Sequence, residues 1–492
     1  MSILVGIDLG TTNIKVSAYD LQGNLLASAS KRNVITYHET GWSEFDAEAI
    51  WQSVKSGLQE ISSACDGSIS SVGISSFGES NVLLDSNGNI VYPMITWFDP
   101  RTAEEVDQIT QSLSPKEIHQ ITGQFVSPKL GICKVMWIHK HYPEEYERAT
   151  LCLTMLDYII YRLTGTAGMD YTMASRMMLL DIHTLQYAQS IIQASGLRKG
   201  LFPPIRPSGT VAGHITPALC GELGLSGEIP VFAGGHDHAC AAIAAHIYDE
   251  GIALDSMGTA ETMLISSETL PDLQACFENQ VSVYPHFGQK LYRLTTSIQA
   301  CGSCLAWANT QLLSNGVEQA NLSALSSFLQ QSLDAPKRMR PVFCPNIRGL
   351  QESPATRGAF LGITDACTCQ DLAYAVVEGL VFESFRRFLG CFRASGIHFS
   401  GLRVVGGPSS LQNMMQMKSD IFEQTIQIPV IRDAACLGAA IIAGMGIRIL
   451  QQPPRLSIQV SYAPNRARFD EYQKRYAQYE RAISLSMQYI AE

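Results

Sequence analysis

Gly6-Ile7-Asp8-Leu9-Gly10-Thr11-Thr12, near the start of the chain, has an echo in Gly251-Ile252-Ala253-Leu254-Asp255-Ser256-Met257-Gly258-Thr259-Ala260. The two Gly-Thr pairs lie 248 residues apart in a chain of 492. In the first copy the apolar run Ile3 to Ile7 predicts a strand buried on both faces. A small Gly/Thr turn follows, then a second strand: Ile14 to Tyr19 in the first case, Thr262 to Ile265 in the second. The repeat predicts an internal duplication, two related α/β halves that each open on strand–turn–strand.

Working outward, apolar positions Ile50, Trp51, Val54, Leu58 and Ile61 predict a helix over 47–64, followed by a strand at 71–75. In the second half a helix is expected over about 370–393, a strand at 402–405, and a helix over 412–422. The alanine-rich stretch 434–443 reads as a helix packed closely on a sheet. Phe469, Tyr472, Tyr476, Tyr479 and Ile483 share one face of a terminal helix. The halves are expected to divide at the turn-like Tyr248-Asp249-Glu250-Gly251, as residues 1–246 and 247–492.

Composition removes several function classes. With 46% hydrophobic and 16% charged residues, the chain can build cores and is not a disordered protein. A net charge of −10 argues against a nucleic-acid binder. The apolar run Ala435 to Ile447 falls short of the ~18 residues a bilayer span needs. No secretory signal is visible, and an odd count of 13 cysteines predicts reduced thiols, hence a cytoplasmic protein. Most of those cysteines, and the methionines of 173–178 and 414–417, are expected in the core.

Five segments have residue types suited to chemistry. Asp8-Leu9-Gly10-Thr11-Thr12 offers amides and hydroxyls to an anion and a carboxylate to hydrated magnesium; the bland alternative is a hairpin turn. Gly234-Gly235-His236-Asp237-His238 puts Asp237 between a strand and an alanine-rich helix, as proton acceptor from an alcohol or as helix cap. Two histidines there fall short of a zinc site. Phe77-Gly78-Glu79 and Trp97-Phe98-Asp99-Pro100-Arg101 put polar groups among aromatics just past strands, either for polyol hydroxyls or as a surface ion pair beside a Trp. Gly406-Gly407, between a strand and a helix, is a nucleotide approach point or a tight turn.

In order along about 430 residues, these segments resemble the FGGY carbohydrate kinases, the group of xylulokinase, glycerol kinase, gluconokinase and ribulokinase. Further matches are Lys134-Val135-Met136-Trp137, Asp170-Tyr171-Thr172-Met173-Ala174-Ser175, Arg357-Gly358-Ala359-Phe360-Leu361-Gly362 and Ala434 to Ala440. The resemblance implies two duplicated actin-like (ribonuclease H-like) ATPase domains with a cleft between them. It implies an ATP-dependent kinase acting on a hydroxyl, primary by expectation, of a small ketose or polyol, with Mg2+. Asp237 would be the general base, and Asp8 with Asp237 would position the metal. Gly10, Thr11, Thr12, Asn13, Gly258 and Thr259 would meet the phosphates, and Gly406, Gly407 and Ser410 the adenosine. Gly78, Glu79, Trp97, Asp99, Arg101, Asp237 and His238 would form the sugar pocket.

Departures from the family pattern gather in that pocket. Gly78 stands where glycerol kinases have Arg, Phe98 where Asn is usual, and His238 where Asn or Gln is usual. Glu79 argues against an aldonate, whose carboxylate it would repel unless Arg101 or another cation offsets it. A catalytically weak sugar- and ATP-binding sensor on the same fold is the alternative, and a homodimer is expected by analogy.

Overall fold

The computed structural model describes residues 2–65, 68–248, 251–287, 292–314, 316–317, 322–332, 340–350 and 355–488. The first half opens with β1 (Ser2–Leu9), β2 (Asn13–Tyr19) and β3 (Leu25–Arg32), followed by α1 (Ala47–Ala64) and β4 (Ser68–Ser76). Asp46 caps α1, its side chain accepting from the Ala49 amide, and the predicted apolar positions are its buried face. Beyond β4 come α2 (Gly131–His141), α3 (Tyr171–Arg176), β5 (Val211–His214), β6 (Pro230–His236) and α4 (Asp237–Ala244). The sheet order is β5-β6-β4-β1-β2-β3, with β1 antiparallel to β2 and parallel to β4.

The second half repeats this plan. Its strands are β7 (Ile252–Met257), β8 (Glu261–Ser267), β9 (Ser282–Pro285) and β10 (Tyr292–Ile298). The long α5 (Cys369–Ser395) then leads to β11 (Gly401–Val405), α6 (Gln412–Phe422), β12 (Ile426–Pro429), α7 (Ala434–Gly446), β13 (Ile458–Tyr462) and α8 (Phe469–Gln488). The order is β9-β10-β8-β7-β11-β12-β13. β7 is antiparallel to β8 and parallel to β11, as β1 is to β2 and β4. The duplication read from the Gly-Thr repeat is therefore present in the topology. The turn expected to divide the halves includes residues 249 and 250, which lie outside the described residues.

The alanine-rich α7 does pack on a sheet, but on that of the first half. The Cβ that Gly438 lacks would lie 1.8 Å from the Cys240 carbonyl on α4, and that of Gly6 2.0 Å from the Cys436 carbonyl on α7. Cys240, Ile243, Ala439, Ile441 and Ile442 form a small core between α4 and α7. Hence the helix that opens at Asp237 and the alanine-rich α7 fasten the two halves together.

The predicted methionines and Tyr472, Tyr476, Tyr479 and Ile483 of the terminal helix are buried, Phe469 is half-buried, and the thirteen cysteines are free thiols, ten of them buried. Among the described residues no helix is long and apolar enough to cross a membrane.

Candidate active site

Parallel strands end together, and that brings distant segments to one edge. Asp8, on β1, pairs in register with Lys15 on β2 and Ser75 on β4, and Ser75 pairs with Gly235 on β6. Ser75 Oγ donates to Asp8 Oδ1 at 3.1 Å. Asp237 follows as the first residue of α4, and Lys15 reaches Asp433, which precedes α7. The Lys15 ammonium thus serves two carboxylates, Asp433 and Asp8. Burial, then the charge of Asp237, pushes the Asp8 carboxyl up to about 7, against Ser75 and Lys15.

Asp237 goes the other way. Burial works to raise it, but His236 and His238, with hydrogen bonds, hold it well below the usual carboxylate range. His236 Nδ1 lies 3.0 Å from Asp237 Oδ1, and the His238 amide donates to the same oxygen at 2.6 Å. Burial pushes His236 down to about 4, opposed by Asp237, so at pH 7 a neutral imidazole faces an ionised carboxylate. The loop is held from below: Thr172 Oγ1 accepts from the His236 amide at 2.8 Å, and Asp170 accepts from the Thr172 amide at 2.8 Å. Gly235 has φ +116°, with Thr172 Oγ1 2.6 Å from where a Cβ would stand.

The first turn is closed by the Gly10 amide donating to the Asn13 carbonyl at 3.0 Å. Asn33 braces it, its side chain donating to the Gly10 carbonyl at 3.0 Å. In the second, the Gly258 amide donates to the Ala260 carbonyl at 2.8 Å, and Gly258 and Thr259 are exposed. Gly406, at φ +102°, crosses directly over it: a Cβ there would lie 2.0 Å from the Met257 carbonyl. Gly407 and Ser410 are exposed beside it, next to a recess lined by Ser326, Leu329, Gln330 and Gln412. Two of the expected nucleotide segments, Gly258–Thr259 and Gly406–Ser410, thus border one another.

On the side expected to face the sugar, Trp97 Nε1 donates to Thr11 Oγ1 at 3.0 Å, which joins that loop to the first Gly-Thr turn. Glu79 is 3% exposed, at φ +65°, in an ion pair with Arg176 of α3. Gly78 is packed so that a Cβ would meet Arg176 and His236 carbons at 3.0 Å. Asp99 and Arg101 differ from expectation: both side chains are 0% exposed. Asp99 accepts from the Ser43 amide at 2.6 Å and from Arg101 Nε at 2.8 Å. Arg101 also reaches Glu44 at 3.1 Å, its guanidinium 4.5 Å from the Trp42 ring and 5.0 Å from Trp137 of α2. In this conformation the pair is sealed from solvent and braces the loop that follows Trp97.

The order of these elements has a counterpart. The N-terminal domain of the FGGY family of carbohydrate kinases matches residues 3–244, and the C-terminal domain matches 253–447. The chain belongs to the FGGY family of carbohydrate kinases. It is 27% identical to the xylulose kinase of Staphylococcus epidermidis over 506 aligned positions, all of this chain and 98% of that one. It is 28% identical to glycerol kinase 1 of Streptomyces avermitilis, over 90% of this chain and 88% of that one. A ligand-bound xylulose kinase structure from Lactobacillus acidophilus superposes with a TM-score of 0.89 at 23% identity, covering 99% and 98% of the two chains. That likeness shows the two-domain actin-like fold.

Several residues of this carbohydrate kinase's site had not been singled out by the motifs. Arg176 stands one residue beyond Asp170–Ser175, a position from which its partner could have been sought. Lys15 and Asp433 come together over 418 residues, and Tyr284 reaches the site from β9 of the other half. No local signal marks those pairs.

The carboxylates fit a magnesium ion. Asp8 and Asp237 offer hard oxygen donors, and their mutual repulsion is what a divalent cation removes. His236, Asp237 and His238 also have donor atoms within 4.8 Å of one another, but Asp237 Oδ1 is already engaged by the His238 amide.

Proposed function

We propose that this sugar or polyol kinase transfers the γ-phosphoryl group of ATP, with Mg2+, to a primary hydroxyl of a small acceptor, with Asp237 as general base. The observation that carries this reading is Asp237 itself. It is held ionised at the start of α4, within electrostatic reach of Asp8, at the strand edge where the first phosphate turn emerges.

In the step, the hydroxyl oxygen forms a bond to the γ-phosphorus, the bridging P–O bond to ADP breaks, and the hydroxyl proton passes to Asp237. Bound magnesium would neutralise charge on the phosphates. Gly10–Asn13 and Gly258–Thr259 would hold those phosphates from the two halves, so that closure aligns donor and acceptor and excludes water. A weakly basic Asp237 suits a loose transition state, in which the proton leaves late and orientation matters more than basicity. Gly406, Gly407 and Ser410 would bear the adenosine. Free buried cysteines support a reducing, cytoplasmic setting.

The test is ADP release with MgATP against ketoses, polyols and aldonates. One acceptor should stimulate release strongly over the sugar-free rate. Asp237→Asn should lower kcat by ~10²–10⁴ with ATP binding intact. Full turnover by that variant would remove Asp237 from the mechanism.

A further inference from the structure

Arg293, on β10, is 2% exposed, and its Nε and Nη1 have no hydrogen-bond partner among the described residues. It has no ion pair among them either. Its guanidinium lies 5.1 Å from the centre of the Tyr284 ring. Arg176 lies 5.3 Å from the same ring and donates to the Tyr284 hydroxyl at 2.8 Å. Two cations therefore flank one aromatic side chain.

Their charges are not matched. The Arg176 charge is answered by Glu79. The charged or titratable groups felt by Arg293 are Tyr284, Arg176, Asp237 and Cys240, and His238 and His286 feel Arg293 in turn. Of these only Asp237 is a carboxylate, and it is committed to His236, His238 and the acceptor proton. His286, pushed down to about 3 by burial and then by Arg293, is neutral. A buried guanidinium without a counter-ion is unfavourable, and an anion brought by a ligand would relieve it.

Phosphates held at the second turn are not that anion. Arg293 pairs with Ser266, at the far end of β8 from Gly258–Thr259. Seven residues of extended strand separate Ser266 from Thr259, roughly 20 Å. The acceptor, by contrast, must touch Asp237, which Arg293 does feel.

We propose that Arg293 and Tyr284 receive an anionic substituent of the acceptor, so that the substrate is a sugar acid of the aldonate class with its carboxylate on Arg293 and its far hydroxyl on Asp237. This rests on the kinase reading above. It reverses the expectation drawn from Glu79, because Arg176 takes up the Glu79 charge and Arg293 supplies a second cation.

The experiment pairs D-gluconate, D-xylonate and D-arabinonate with D-glucitol, xylitol, D-arabinitol, D-fructose and D-xylulose. ADP release and calorimetric binding are measured on the full chain and on Arg293→Met and Arg293→Lys. An aldonate should exceed its matched alditol by about 100-fold or more in kcat/KM. Arg293→Met should lose that preference through KM, and Arg293→Lys should keep part of it. Without ligand, Arg293→Met should melt no lower than wild type, and aldonate should no longer raise its melting temperature. If Arg293→Met fails to fold, Arg293→Lys carries the comparison. A neutral sugar used equally well by wild type and variant overturns the sugar-acid inference and leaves the kinase reading standing. Arg293-dependent aldonate binding without ADP release upholds the subsite and overturns the kinase reading. Neither binding nor turnover of any aldonate overturns the inference.

Discussion

The indole Nε1 of Trp97 donates to Oγ1 of Thr11 across 3.0 Å, and this one bond ties the loop expected to face the sugar to the turn expected to face the nucleotide phosphates. The loop behind Trp97 is fixed by the sealed Asp99–Arg101 pair, so the indole is aimed by packing. Trp97→Phe removes the donor and keeps most of the ring. A lost hydrogen bond is worth ~0.5–1.5 kcal/mol, or ~3–10-fold in kcat/KM. Because the bond spans both sites, KM should rise for ATP and for the acceptor. Steady-state kinetics with each substrate varied will check this; an unchanged KM for ATP would mean that the bond has no bearing on nucleotide binding.

Asp8 predicts a pH profile. Its carboxyl is pushed up from 3.8 to about 7, chiefly by burial and then by Asp237. Only the ionised form helps to hold a divalent cation, so activity at limiting magnesium should rise as pH climbs through 7. A bound cation favours the carboxylate, so added magnesium should move this limb to lower pH. Asp237, held ionised throughout, should add no limb between pH 5 and 8. Initial rates at two magnesium concentrations decide the matter, and a limb that ignores magnesium counts against Asp8.

The same shift has a sign for stability. The folded state holds the Asp8 proton more tightly than the unfolded chain, so ionising it costs stability as pH rises from about 4 through about 7. Asp8→Asn removes that cost. At pH 8 without magnesium the variant should be more stable by ~1–3 kcal/mol, a value discounted from ~1.4 kcal/mol per pKa unit because the group is partly solvated. At pH 4 the gain should vanish, and at every pH the variant should be a poor catalyst. Denaturant melts at the two pH values report it.

The strand–turn–strand openings and α1 were legible because burial on both faces and helical periodicity are local signals. The Gly-Thr turns and the glycines of 234–235 and 406–407 were legible for the same reason: a tight turn against a ligand needs small residues in sequence. The Arg176–Glu79–Tyr284 chain was not, because its links span 97 and 108 residues and bring two halves together. The burial of Asp99 and Arg101 was not legible either. A charged pair beside a tryptophan reads as a sugar contact, but two further aromatic faces, Trp42 and Trp137, shut it in.

Gly438 predicts a packing defect between the halves. An added Cβ would lie 1.8 Å from a backbone carbonyl of α4, so the helices must part. Gly438→Ala should cost ~1–3 kcal/mol. Since α4 begins at Asp237, kcat should fall further than lost stability explains. Thermal melting and kcat measured well below the melting temperature separate the two. An alanine accommodated at full activity would show that the helix pair slides freely.

Behind the Gly258–Thr259 turn, Lys418 of α6 is 0% exposed and reaches both Asp255 and Glu261, the latter at 2.8 Å. These carboxylates flank Gly258–Thr259 on β7 and β8. Burial, then Glu261, pushes Asp255 up to about 7, and Lys418 keeps its charge because the two carboxylates outweigh its own burial. Lys418→Ala would strand two carboxylates in a dry core, at ~3–5 kcal/mol. The loss should be smaller at pH 5 than at pH 8, because protonating a carboxyl removes the stranded charge. Replacing all three residues with apolar ones of similar volume should recover most of the stability. If that triple variant also keeps its KM for ATP, the cluster is structural. If KM stays high in a stable protein, Lys418 positions the phosphate turn from the rear.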